Sequence, residues 1–153
     1  MAEGLLRHDA GQRLELESAG TKASFVRPEA ITIMREVGID ITGHRSKNID
    51  EFAGQRFDYV ITVCDNARET CPVFFGAAQQ LHHDLDEPAA VKGSEEERLA
   101  AFRRVRDQLR AYLRDFSNQV ASTTTWGMDS FALRLRTRHL CMGLRLDGGG
   151  WDR

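Results

Sequence analysis

The run Phe57-Asp-Tyr-Val-Ile-Thr-Val-Cys64 constrains the fold more than any other stretch of the chain, because its β-branched and aromatic residues make it a buried strand bounded by polar sequence. A strand apolar on both faces belongs to a parallel sheet covered by helices, and open sheets of that kind bind ligands beyond the carboxyl ends of their strands. Cys64 stands at that end. The sequence continues Asp65-Asn-Ala-Arg-Glu-Thr-Cys71-Pro72, which places a second thiol seven residues on. Were the intervening segment helical, the two Cα atoms would lie about 10 Å apart at roughly 1.5 Å per residue, against about 4.4–6.8 Å in a disulfide. A bond between them therefore requires the segment to unwind. Two inert thiols packed at a strand end satisfy the same spacing.

The rest of the chain alternates in the manner of a βα protein. Met1 to Ala10 reads as a helix ended by Gly11, and Arg13 to Ser18 as a short strand. Pro28 opens a helix that Gly38 stops. A weaker stretch spans Ala77 to Leu85. Ser94-x-x-Glu97 forms a capping box for a long helix whose stripe is Leu99, Phe102, Val105, Leu109, Tyr112, Leu113 and Phe116, with its arginines on a solvated face. From about Ser117 the character changes. Phe131 to Arg138 alternates apolar and basic residues, Gly148 to Gly150 is loop-like, and residues 117–153 read as a flexible tail behind a domain of residues 1–116.

Composition narrows the classes. A formal charge of -2 offers no electrostatic footprint for nucleic acid, and no apolar run reaches the roughly 18 residues that a membrane helix needs. Three cysteines and no apolar N-terminal segment point to a reducing, cytoplasmic setting, where thiol chemistry is transient or catalytic.

Several segments together resemble a family. Met1-Ala-Glu-Gly-Leu-Leu-Arg-His, Ser18-Ala-Gly-Thr, Gly38-Ile-Asp-Ile-Thr-Gly-His-Arg-Ser-Lys47, Asp58-Tyr-Val-Ile-Thr-Val-Cys-Asp65, Cys71-Pro-Val-Phe74 and Glu96-Glu-Arg-Leu-Ala-Ala-Phe-Arg-Arg-Val-Arg-Asp107 occur in order, as in the thioredoxin-coupled arsenate reductases. The resemblance implies the α/β three-layer sandwich of low-molecular-weight protein tyrosine phosphatases, with a short parallel sheet. It also implies a first, central strand and a Cys-x5-Arg loop ahead of the Met-Ala-Glu-Gly helix, and neither is found in this sequence. The family's loop Cys forms an adduct with arsenate, a second Cys attacks it and releases arsenite, and a third presents the resulting disulfide to thioredoxin. Cys64 matches the second and Cys71 the third.

By the same resemblance Glu87, directly before Pro88, takes a general-acid position that is usually Asp. Potassium-binding members have Glu and Ser where Glu3 and Ser18 stand, but Lys47 replaces an Asp, so an ammonium is expected in place of the cation. Zinc held by Cys64, Cys71, His82 and His83 is not expected, because Cys-x6-Cys departs from the two-to-four-residue spacing of structural sites. Neither a cofactor nor a metal is implied, and the expected partner is thioredoxin, with arsenate a substrate only when the Cys loop is restored. A tyrosine phosphatase of the same fold and a non-catalytic binding module are the alternatives. Loss of the central strand predicts two inner sheet edges left without partners. Filling them with Phe131 to Leu140 would drive Arg134, Arg136 and Arg138 into a buried face.

Overall fold

A computed structural model of the protein describes residues 1–11, 14–20, 24–63, 77–123, 134–135 and 141–145. Among these residues three helices and five strands occur, in the order α1 (Ala2–Ala10), β1 (Glu15–Ala19), α2 (Pro28–Arg35), β2 (Phe57–Val63), β3 (Ala77–His83), α3 (Glu95–Thr123), β4 (Arg134–Leu135) and β5 (Cys141–Arg145). Short 3-10 turns at Ile49–Phe52 and Pro88–Ala90 lie between them. The punctuation is where the sequence put it. Gly11 ends α1 at φ 66°, Pro28 occupies the first turn of α2, and Gly38 turns the chain at φ 77°. Ser94 and Glu97 exchange the two hydrogen bonds of a capping box at the start of α3, 2.7 and 3.2 Å long.

The class is α/β with a short parallel sheet, as expected. Strand β2 pairs in parallel with β3 from Phe57↔Ala77 to Val63↔His83. It is buried on both faces. Ile61 and Val63 enter the main core with Leu5, Leu6, Ile33, Met34, Val105, Leu109 and Leu113, while Val60 joins Ala19, Phe52 and Phe57 in a second cluster. Gly4 lets α1 approach closely, since a Cβ there would stand 2.7 Å from Ile41 Cγ2.

Two expectations are corrected. The strand order is β3-β2-β5-β1-β4, so the place between β1 and β2 is filled by β5. It runs antiparallel to both, pairing Glu15↔Arg145 to Ala19↔Cys141 on one side and Val60↔Gly143 and Ile61↔Met142 on the other. The inner edges were expected to stay open because the arginine-rich stretch before Cys141 suits no central strand. The chain instead uses the next segment, Cys141-Met-Gly-Leu, which carries no charge until Arg145. Arg134–Leu135 pairs at the outer side of β1, an edge position where charge is tolerated. The helix α3 also continues past Phe116 to Thr123.

The arginines of α3 form ion pairs and are not simply solvated. Arg106 is buried and donates to the Ile33 carbonyl at 2.8 Å, and Arg103 holds Glu36 at the end of α2. Arg110 and Arg114 donate to Asp9 of α1 at 2.8–3.0 Å. Their acidic partners come from elements about seventy to a hundred residues away, which no helical pattern displays. The Arg110 guanidinium, joined by His8 and Arg114 against the opposing effect of burial, holds the Asp9 carboxyl well below the usual carboxylate range.

A pH dependence follows. A carboxylate depressed in the folded state stabilises above its unfolded pKa of about 3.9, and that stabilisation is lost as pH falls toward the folded value. Asp9→Ala is expected to lower unfolding free energy by about 2–3 kcal/mol at neutral pH, Arg114 being exposed enough to count for little. Urea titrations at descending pH check this: the gap between variant and parent should narrow below about pH 3.9, and a constant gap would refute the charge-based origin.

Candidate functional site

Strands β1, β2 and β3 all run in one direction, since β1 and β2 both oppose β5 and β2 parallels β3. Their carboxyl ends, Ala19, Val63 and His83, therefore share one end of the sheet. Such an end collects side chains from successive crossovers, which is why α/β proteins place sites there. Cys64 follows Val63 directly, and both Cys64 and Cys71 lie outside the described residues.

Around this end stand two polar groups of residues. In the first, Ser18 of β1 donates a hydrogen bond to Glu3 of α1, and Lys47 donates to Glu17. The Lys47 ammonium is also 3.8 Å from the Glu3 carboxylate and 5.6 Å from the centre of the Phe52 ring. Glu3 is buried, and Arg7 bonds it at 2.9 Å from one turn along α1. The ammonium thus stands between two carboxylates, of which Glu3 is one the resemblance singled out and Glu17 is not. His44 lies 3.9 Å from Glu3, with its pKa pushed down by burial and partly restored by that carboxylate.

In the second group, the register Thr62↔His82 brings two side chains together across β2 and β3. Thr62 Oγ1 and His82 Nδ1 are 2.7 Å apart, and His82 Nε2 is 2.6 Å from Asp84 Oδ1. Both ring nitrogens are engaged. His83, one residue on, turns to the opposite side and stacks on Tyr112 with ring centres 4.1 Å apart and planes 5° from parallel. Burial lowers its pKa. The two histidines diverge because consecutive residues of a strand face opposite ways. Among the described residues no group of three or more His, Cys, Asp or Glu could hold a metal ion.

Glu87 is the N-cap residue of the Pro88–Ala90 turn, without a side-chain cap, and its carbonyl accepts from Ala90 at 3.1 Å. Asp86 beside it lies 3.9 Å from Arg104. The sequence reading did not find the His82–Asp84–Thr62 connection. Its signal is present in hindsight as two polar residues that meet only when the parallel register is known.

A model of the low molecular weight phosphotyrosine protein phosphatase family matches residues 1–125. The arsenate reductase of Halalkalibacterium halodurans is 38% identical over 117 residues, covering 76% of this chain and 84% of that protein. That of Bacillus subtilis gives the same identity and the same coverage. Among solved structures, an arsenate reductase in the oxidized state superposes with a TM-score of 0.64 at 30% identity, over 78% of this chain and 86% of the other. Another, in the reduced state, gives a TM-score of 0.59 at 30% identity, over 77% and 86%. No helix among the described residues is long and apolar enough to cross a membrane.

Proposed function

The chain belongs to the low molecular weight phosphotyrosine protein phosphatase family and groups there with the arsenate reductases, and on that premise we propose that it carries the thiol-relay half of an arsenate reductase. The observation that carries the proposal is a pair of thiols, Cys64 and Cys71, beginning one residue past a buried parallel strand in a chain 38% identical to arsenate reductases. Phosphatase chemistry on this fold has no use for such a pair.

In the proposed reaction an external thiolate forms the arsenate adduct. Cys64 attacks the sulfur of that adduct; two electrons pass to arsenic, arsenite leaves, and a disulfide remains. Cys71 then exchanges into the bond, giving Cys64–Cys71. Thioredoxin's dithiol reduces it and becomes a disulfide itself. Glu87 is assigned the proton delivered to the departing oxygen. The adduct-forming thiol belongs on a Cys-x5-Arg loop, a pattern that occurs nowhere in these 153 residues, so the polypeptide by itself is assigned no turnover. The enzyme-like unit is drawn past residue 116: the family model reaches residue 125, the long helix runs to Thr123 and β5 occupies the middle of the sheet, so part of residues 117–153 belongs to it. The three-cysteine composition and the relay chemistry favour the cytoplasm.

Mild oxidation followed by peptide mapping tests the relay. Cys64 and Cys71 are expected to be lost together in one intramolecular disulfide, which thioredoxin then reduces. The comparison is demanding because Cys141 opens β5 opposite Ala19, in the same sheet. If Cys64 pairs chiefly with Cys141, or if neither thiol is consumed, the relay assignment is wrong.

A further inference from the structure

A cavity of about 300 Å³ lies between the start of α2 and the segment that leads into α3, two stretches that the chain reaches after β1 and β3. Arg27, Lys92 and Arg98 line it together with a single carboxylate, Glu29. Phe102, itself buried, and Val91 give it an apolar wall. We propose that this cavity binds a small organic phosphate, whose dianionic head meets the Arg98 guanidinium and whose body lies on Phe102 and Val91. The site draws on neither Cys64 nor Cys71, so it stands or falls apart from the relay.

Arg98 supplies the observation that points to an anion. Its Nη1 is ion-paired with Glu29 Oε1 at 3.4 Å, which steadies the guanidinium from one side. Its Nε is buried and has no hydrogen-bond partner. The edge that carries Nε is one with which an arginine grips a phosphate or carboxylate through two parallel N–H···O bonds. A buried N–H without a partner is costly, and a ligand oxygen placed at Nε removes that cost. The side chain as a whole is partly exposed, so a ligand can reach it from solvent.

The charge balance and the size select the class of ligand. Three cations against one carboxylate leave the lining with a surplus of two positive charges. Lys92 has no ion-pair partner among the described residues, and neither has Arg27, whose guanidinium stands 5.9 Å from the centre of the Phe25 ring. The acids nearby are turned to other tasks: Glu96 holds Arg103, Glu97 accepts from Ser94, Asp86 lies 3.9 Å from Arg104, and Glu95 is not in the lining. A phosphate monoester brings about 1.5 to 2 negative charges at neutral pH, which matches the surplus. A volume of about 300 Å³ with an apolar wall and a few convergent polar groups is the form of a small-molecule site and leaves room for an organic body beside the charged head.

The test is calorimetric titration of the full chain with phenyl phosphate, and with inorganic phosphate and phenol as its separate parts. Phenyl phosphate is expected to bind more tightly than either part, and Arg98→Gln to weaken it about tenfold or more. Glu29→Gln should tighten binding about twofold to fivefold, because the amide oxygen can still accept from Nη1 while the charge that repels the ligand is gone. Lys92→Gln, at an exposed position that the fold does not need, should weaken binding about threefold and serves if Arg98→Gln melts early. A chain with both Cys64→Ser and Cys71→Ser is expected to bind as the parent does, which separates this site from the relay. No binding of phenyl phosphate at millimolar concentration, equal affinities of the parent and the folded Arg98 or Lys92 variant, or inorganic phosphate bound as tightly as phenyl phosphate would overturn the proposal.

Discussion

No arsenite is expected above a no-protein control when protein of this sequence is incubated with arsenate, thioredoxin, thioredoxin reductase and NADPH. The first step of the relay needs a thiolate held against an oxyanion by backbone N–H groups at a helix N-terminus and by a guanidinium fork. The three cysteines supply no such cradle: the residue six places after Cys64 is Thr70, after Cys71 Ala77 and after Cys141 Asp147, where the pattern requires Arg. Without an adduct, Cys64 has no sulfur to attack. A chain extended ahead of Met1 by a strand and a Cys-x5-Arg loop is expected to gain turnover, and to lose it again on Cys64→Ser. Arsenite formed by the unextended protein would show that another group makes the adduct and would remove the basis for assigning it only the later steps. Phosphatase turnover that survives loss of both Cys64 and Cys71 would point to the sister activity of the fold.

Removing residues 124–153 is expected to abolish the cooperative thermal transition. Among the described residues β5 alone joins β1 to β2 within the sheet, through five residue pairs on one side and two on the other. Without it the facing edges of β1 and β2 lose their backbone partners in an interior where Leu16, Ala19, Val60 and Ile61 are buried. Buried N–H and C=O groups left unpaired cost about 1–3 kcal/mol each, so a handful of them rivals a domain's whole stability of about 5–15 kcal/mol. Circular dichroism melts of the full chain and of residues 1–123 are the measurement. A sigmoidal transition of equal midpoint in both would show that β5 contributes nothing. In the extended chain described above, an added parallel strand must displace β5 from the same slot, so proteolysis after Thr123 should become faster as activity appears.

Local chemistry made much of this molecule legible in its sequence. Gly11, Pro28, Gly38 and the Ser94–Glu97 box act through backbone conformation and hydrogen bonds within a few residues, and each bounds its helix as expected. The strand ending at Val63 declared itself because a run apolar on both faces has few other places to go. Ordered motifs along the chain were enough to identify the family. What the tertiary structure decided depends on contacts between distant residues. The salt bridges from Arg110 and Arg114 to Asp9, the meeting of Thr62 with His82, and the seating of Lys47 between Glu3 and Glu17 each require a register or a helix packing that no local pattern encodes. The clearest case is Cys141–Arg145. Five residues with little strand pattern of their own become a central strand because β1 and β2 present open edges on either side, and satisfying those edges outweighs local preference.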